Sequence, residues 1–218
     1  MQKTRGFISS SIYAEKRIGA HNEDVISVLV GSLLGDGYGE KRGKSSRFHI
    51  HMSSKNMEYV AWLHKFFSER GYCSPNKPAT KKQIGRFNQV YYSVKFRTFS
   101  FCSLNYLYQL FYPHGKKSVP ANIESLLTEK ALAVWIMDDG GRGGNGLKIS
   151  TESFSYQDNL RLQEACRNRF HLQPTIQRHG DKFLLYFKKK DVFPLFQRVE
   201  KHVLPCMYYK FFISKNRT

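Results

Sequence analysis

Apolar positions along the chain follow two periods, and the order in which those periods appear occurs twice. From Asn22 the sequence reads NEDVISVLVGSLLGDG, with Ile26, Leu29, Val30, Leu33 and Leu34 spaced as one helical face. Val25 and Val28 widen that face, which predicts a helix buried on most sides. Asn22 suits the N-cap, Glu23 and Asp24 suit the positive N-terminal end, and Gly37 is the stop. From Thr128 the plan returns as TEKALAVWIMDDGG, where Thr128 caps, Glu129 sits in the first turn, and Gly140 and Gly141 terminate.

Period-2 stretches follow each helix. Arg47, His49, His51 and Ser53 alternate with Phe48, Ile50 and Met52, the pattern of a strand with one polar face. A helix over 56–70 comes next, with Tyr59, Leu63, Phe66 and Phe67 inward. A short strand is expected near 72–76, then a polar loop, KPATKKQIGRFN, then a strand over 89–97. In that strand Gln89, Tyr91, Ser93, Lys95 and Arg97 alternate with Val90, Tyr92, Val94 and Phe96. A helix over 100–111 closes the first copy. The second copy offers a strand at 147–151, a helix at 156–170 and a strand at 173–178. A turn at His179-Gly180-Asp181, a strand at 182–188 and a helix at 191–202 complete it. Each copy therefore reads α-β-α-β-β-α, in an α+β protein. The expected organisation is an arm (1–20), a first repeat (21–111), a linker (112–127), a second repeat (128–212) and a tail (213–218).

Composition narrows the function. The 218 residues hold 35 Lys plus Arg against 17 Asp plus Glu, a formal net charge of +18. In a chain with 17 Phe and 13 Tyr, enough to anchor a core, that excess points to a polyanion, most often nucleic acid. No apolar run reaches the length of a membrane span. The basic, Ser-rich first twenty residues lack the apolar segment of a secretory signal. Cys73, Cys102, Cys166 and Cys206 lie far apart without metal-ligand spacing, so they are expected as reduced thiols.

Both long helices end in a carboxylate followed by glycine, at Asp36 and at Asp138-Asp139. An Asp at a helix C-terminus opposes the macrodipole. Two at equivalent places need a reason, and helices packed side by side would bring Asp36 and Asp139 together. Such carboxylates repel unless a cation sits with them, and a hard divalent ion, Mg²⁺ above all, fits oxygen donors. Gly31 and Gly35 form a G-x-x-x-G spacing that lets helix backbones approach; the second helix has Val134 and Asp138 at the matching places.

VGSLLGDGY and LAVWIMDDGG resemble the paired motifs of the LAGLIDADG homing endonucleases in their single-chain, two-repeat form. The WIMDDGG version is similar to the branch containing the yeast mitochondrial omega-intron endonuclease. The resemblance implies two αββαββα repeats whose antiparallel sheets form a DNA-binding saddle, with the motif helices at the interface. It implies that Asp36 and Asp139 hold two or more divalent metal ions, with Gly35 and Asp138 beside them. It also implies catalytic lysines near each site, which map to Lys117 in Lys116-Lys117-Ser118-Val119-Pro120 and to Lys210. The implied activity is site-specific double-strand DNA cleavage by a monomer at a long asymmetric target, in an organelle, the mitochondrion before the chloroplast. Intron RNA, bound by a maturase that assists splicing, is the alternative partner.

The polar strand faces are then the expected DNA reader, because a two-stranded ribbon fits the major groove. In the first copy these are Arg47, His49, His51, Ser53, Gln89, Tyr91, Ser93, Lys95 and Arg97, with Lys81, Lys82, Arg86 and Asn88 in the loop. In the second they are Arg142, Lys148, Ser150, Gln173, Thr175, Gln177, Arg178, His179 and Lys182.

Overall fold

The computed structural model describes residues 20–212, apart from the side chain of Arg86. Of the expected arm only Ala20 falls among the described residues; residues 1–19 and the tail lie outside them. The elements run α1 (Glu23–Leu34), β1 (Tyr38–Arg42), β2 (Ser45–Ser53), α2 (Met57–Glu69), β3 (Thr80–Ile84), β4 (Val90–Arg97) and α3 (Asn105–Phe111). They continue with α4 (Ile123–Leu126), α5 (Glu129–Asp139), β5 (Gly140–Gly143), β6 (Gly146–Ile149), α6 (Tyr156–Phe170), β7 (Thr175–His179), β8 (Lys182–Phe187) and α7 (Lys189–Val199). The repeated order is therefore α-β-β-α-β-β-α, with one strand more per copy than the periodicity alone gives. No helix among the described residues is long and apolar enough to cross a membrane.

Two compact units form, and α1 belongs with the second half of the chain. Among the described residues, one unit spans 37–108 with Ala20 and His21; the other joins 22–36 to 109–212. In the first, an antiparallel sheet has the order β1-β2-β4-β3. Phe48, Ile50, Met52, Val94 and Phe96 are buried on one of its faces, as are Tyr59, Val60, Leu63, Phe66 and Phe67 of α2. The stretch expected as a strand near 72–76 instead closes α2. The Tyr72 N–H reaches Phe67 O (2.8 Å) and Gly71 N–H reaches Ser68 O (3.0 Å), with Gly71 at φ +75°. This is a Schellman turn, and Tyr72 supplies its apolar contact by packing edge-on against Phe67. The strand lies later, at β3, inside the expected polar loop. Its side chains are mostly exposed, so pairing with β4 and not alternation makes it a strand.

The second unit holds a matching antiparallel sheet, β5-β6-β8-β7, with Leu147, Ile149, Leu185 and Phe187 buried. Ser155 and Asp158 form a capping box at the start of α6, and Asp158 also accepts from the Val119 N–H (3.2 Å), tying the connector to that helix. α5 is buried along nearly its whole length, from Ala131 to Asp138. Cys73 and Cys166 are buried free thiols, and burial raises both to about 12.

Candidate active site and nucleic-acid interface

α1 and α5 pack together, tied at their N-terminal ends by the Thr128 hydroxyl on Ser27 Oγ (2.8 Å) and by the Lys130–Asp24 ion pair. Glycine permits the close approach. A Cβ on Gly31 would lie 2.4 Å from Ala131 O and 2.6 Å from Val134 Cβ. One on Gly35 would lie 2.4 Å from Asp138 Cβ. Val134 and Asp138, the larger residues at the matching places of α5, thus fill the space that the two glycines leave open.

The helix ends gather the acidic residues. Asp138 is 9% exposed, and its Oδ2 accepts from the Asp36 N–H at 3.2 Å. Asp36 is exposed and Asp139 is half-buried. Burial pushes the Asp139 carboxyl up to about 7, and the negative charge of Asp36 adds to the rise, with Glu152 contributing less; Lys117 and Lys210 oppose it. Asp138, adjacent in sequence to Asp139, is therefore engaged in joining the two helix ends.

Each expected lysine sits on the C-terminal end of a motif helix. Lys117 Nζ donates to Gly35 O at 2.8 Å, so this carbonyl of α1 is taken by a lysine. Lys210 is 5% exposed, and its ammonium donates to Ile136 O (3.1 Å), Met137 O (2.5 Å) and Asp138 O (3.1 Å). An ammonium has three donors, and all three are used on the last carbonyls of α5. Burial lowers Lys117 to about 8 and lowers Lys210, while Asp36, Asp138 and Asp139 act to keep both charged. Both cations offset the negative ends of helices that carry carboxylates. Lys117 also lines a cleft of about 470 Å³ with Lys116, Glu152, Phe154 and Lys182.

Do these residues suit a metal ion? Among the described residues no group of three or more His, Cys, Asp and Glu is arranged to hold one. Mg²⁺ commonly takes only one or two carboxylates, with waters and substrate phosphate completing its shell. A half-buried carboxylate raised to about 7 by burial, with the charge of a second carboxylate adding to the rise, is a donor set that a hard divalent cation relieves. The residues fit.

Strand register sorts the expected DNA readers by face. On the first sheet Arg47, His49, His51 and Ser53 share a face with Arg97, Lys95 and Ser93, and with Lys81 through its pairing to Ser93. Tyr91 belongs to this face and Lys82 to the other, opposite Tyr92. Asn88 and Gln89 are exposed at the hairpin turn. β1, absent from the periodicity, adds Tyr38, Glu40 and Arg42 to the polar face. His49 is 3% exposed, so it lies beneath the reading surface and not on it.

On the second sheet Lys148, Thr175, Gln177, His179 and Lys182 share one face with Tyr186. Arg178 pairs with Phe183 and Arg142 with Leu147, which turns both arginines to the opposite face. Arg142 lies over the Phe212 ring at 4.6 Å, and Arg178 Nε donates to Gly180 O at 3.0 Å. Ser150 follows β6, where its N–H donates to Asp139 O (3.1 Å), and Gln173 precedes β7, exposed.

Known proteins carry the same pattern. Residues 26–195 match the family model described as the LAGLIDADG DNA endonuclease family. The chain is 35% identical over 204 residues to the cytochrome b mRNA maturase bI2 of Saccharomyces cerevisiae, covering 88% of this chain and 48% of that protein. It thus spans about half the length of that relative. It is also 35% identical over 156 residues to the intron-encoded endonuclease ai4 of Dictyostelium discoideum, covering 68% of this chain and 97% of that protein. In fold it is similar to the homing endonuclease I-WcaI, solved bound to its DNA recognition sequence. The TM-score is 0.83 at 22% identity, over 91% of this chain and 90% of the other.

Proposed function

The chain belongs to the LAGLIDADG DNA endonuclease family, and from that premise we propose that it is a site-specific double-strand DNA homing endonuclease that works as a monomer with Mg²⁺. The observation that carries the reading is the pairing of α1 and α5, which sets Asp36 and Asp139 close enough for one to raise the other. Asp36 and Asp139 would hold divalent ions through their carboxylates. A divalent ion bound there supplies charge neutralisation at a scissile phosphate and lowers the pKa of an attacking water.

The rest falls to the chain's own groups. Lys210 fixes the last turn of α5, keeping Asp139 at a set position while its charge favours the ionised carboxylate. Lys117 does the same for α1 through Gly35 O, at the edge of an open cleft where a phosphate oxygen could meet its ammonium. Asp138 couples the two helix ends, so the two aspartates move as one body. The polar faces of both sheets supply donors for base edges: His51, Lys95 and Arg97 on one, Lys148, Gln177 and Lys182 on the other. The family resemblance supports an organellar site of action, the mitochondrion first.

A relative named as an mRNA maturase, 35% identical over most of this chain, favours intron RNA as a second partner. One experiment separates the two. A randomised duplex library is digested with Mg²⁺ and the new ends are sequenced, beside Asp36→Asn. Recurrent ends sharing one long motif, lost in the variant, support the endonuclease. No cleavage by either protein, with tight binding to structured intron RNA, replaces that reading with the maturase.

A further inference from the structure

The four strands of the first sheet contain one acidic residue, Glu40, and it lies on the polar face. A carboxylate there repels the phosphate backbone of any nucleic acid the face meets, so a compensating role is needed. Its contacts supply one. Glu40 Oε2 accepts from Arg47 Nε (2.7 Å) and Nη2 (2.7 Å) and from His49 Nε2 (2.6 Å), and Arg42 Nη1 lies 3.6 Å from Oε1. Register explains the geometry, because Glu40 and Arg47 are direct cross-strand partners and His49 stands opposite Tyr38.

The cluster is packed below, and above it the Arg47 side chain keeps 15% of its surface exposed and Glu40 32%. His49 is 3% exposed and stacks flat on Tyr38, with centroids 4.6 Å apart and an interplanar angle of 4°. The Tyr38 hydroxyl accepts from Lys95 Nζ at 2.9 Å. Hydrogen bonds from Arg47 and His49 hold the Glu40 carboxyl below its ordinary range, and burial keeps His49 below its own. The ring is therefore neutral, with Nε2–H donating to the ionised carboxylate. Glu40 engages Arg47 along its Nε side, which leaves the Nη1 end of the guanidinium unspent. That end can still present the fork that matches guanine O6 and N7.

We infer that Glu40 is a positioning residue for base recognition: it aims Arg47 at a guanine in the target and takes no part in cleavage. The inference rests on the DNA-cleavage reading. A flexible arginine facing a duplex is drawn to the nearest phosphate, whereas one clamped by a carboxylate keeps its fork for a base edge and is turned from the backbone.

The test uses the full chain and the target selected from the duplex library. Wild type, Glu40→Gln and Arg47→Ala are assayed for cleavage on that target and on all its single-base-pair variants, with kcat and KM separated and melting temperatures recorded. Wild type should prefer G·C at one position by about ten- to a hundredfold. Arg47→Ala should erase that preference. Glu40→Gln should reduce it to within about threefold at the same position, leaving other positions, and kcat on the best target, within about twofold. Its affinity for non-specific duplex should rise, since a repulsive charge is gone. Full retention of the preference in Glu40→Gln overturns the inference. So does a uniform loss across all positions that tracks a lowered melting temperature, the mark of a purely structural ion pair. A wild type without preference for any duplex overturns the cleavage reading, and the role of Glu40 with it.

Discussion

The Asp138 side chain occupies the space that a side chain on Gly35 would need: a Cβ there would stand 2.4 Å from Asp138 Cβ and 2.6 Å from Oδ2. From that position Oδ2 accepts the Asp36 N–H. Gly35→Ala must therefore move one helix end away from the other, and the residue moved first is Asp36. We expect a loss of about 1–3 kcal/mol in stability from overpacking and a fall in cleavage larger than the fall in duplex binding. Melting and binding assays beside the cleavage rate check this; an alanine variant that cuts as fast as wild type removes the helix-end geometry from the mechanism.

The neighbouring aspartates should separate by role. Asp139→Asn deletes a charge that a divalent ion would use, so cleavage should fall by more than a hundredfold while duplex binding without metal holds or tightens. Asp138→Asn keeps an oxygen that can accept the Asp36 N–H, so cleavage should fall by less than tenfold. Single-turnover rates across a Mg²⁺ titration decide between them, and equal losses in the two variants would assign the metal to both.

Much of this site was legible before any fold was drawn. The Asn22 and Thr128 caps, the buried face of α1 and the paired Asp-Gly ends follow from spacing and from capping chemistry, and both caps form the expected bonds. The lysines were legible only through resemblance, since a Lys in a chain of net charge +18 stands out for no local reason. β1 and β5 were not legible. YGEKR and GGRG lack apolar alternation, because each is a short edge strand whose side chains are largely unburied. Missing β1 also hid Glu40. Arg178 and Arg142 lie on the face opposite Lys148 and Gln177, because face depends on register and a step of one residue reverses it.

The carboxyl of Asp139 near 7 fixes a pH dependence for the metal-free protein. The folded state holds this proton up to about pH 7, whereas the unfolded chain releases it near pH 4. Between those values the folded state binds more protons, so this group's contribution makes stability fall as pH rises, and the full penalty stands above pH 7. Asp139→Asn should therefore melt a few degrees higher than wild type at pH 8 without metal, and at the same temperature at pH 4. Divalent metal should raise the wild-type melting temperature at pH 8 and leave the variant unmoved. Cleavage should climb through an acid limb at or below about pH 7, because a bound cation favours the ionised carboxylate. A variant that melts below wild type at pH 8 would show that Asp139 is stabilised by its charge and not strained by it.

Lys210 poses the sharpest contrast with Lys117. Its three donors are spent on three carbonyls within a buried setting, so Lys210→Met leaves Met137 O and Asp138 O without the ammonium and deletes a charge that favours ionised Asp139. Loss of about 2–4 kcal/mol is expected from the unsatisfied carbonyls, together with a further rise of the Asp139 pKa and an alkaline shift of the acid limb of cleavage. Lys210→Arg should not rescue, because a planar guanidinium cannot place three donors on carbonyls that surround a compact ammonium. Lys117 is half-buried beside a cleft and favours the ionised Asp139 at least as strongly as Lys210 does. Lys117→Met should therefore cost less stability than Lys210→Met yet move the acid limb at least as far. If the two variants melt alike, the three carbonyl bonds of Lys210 add nothing to stability beyond the single bond of Lys117.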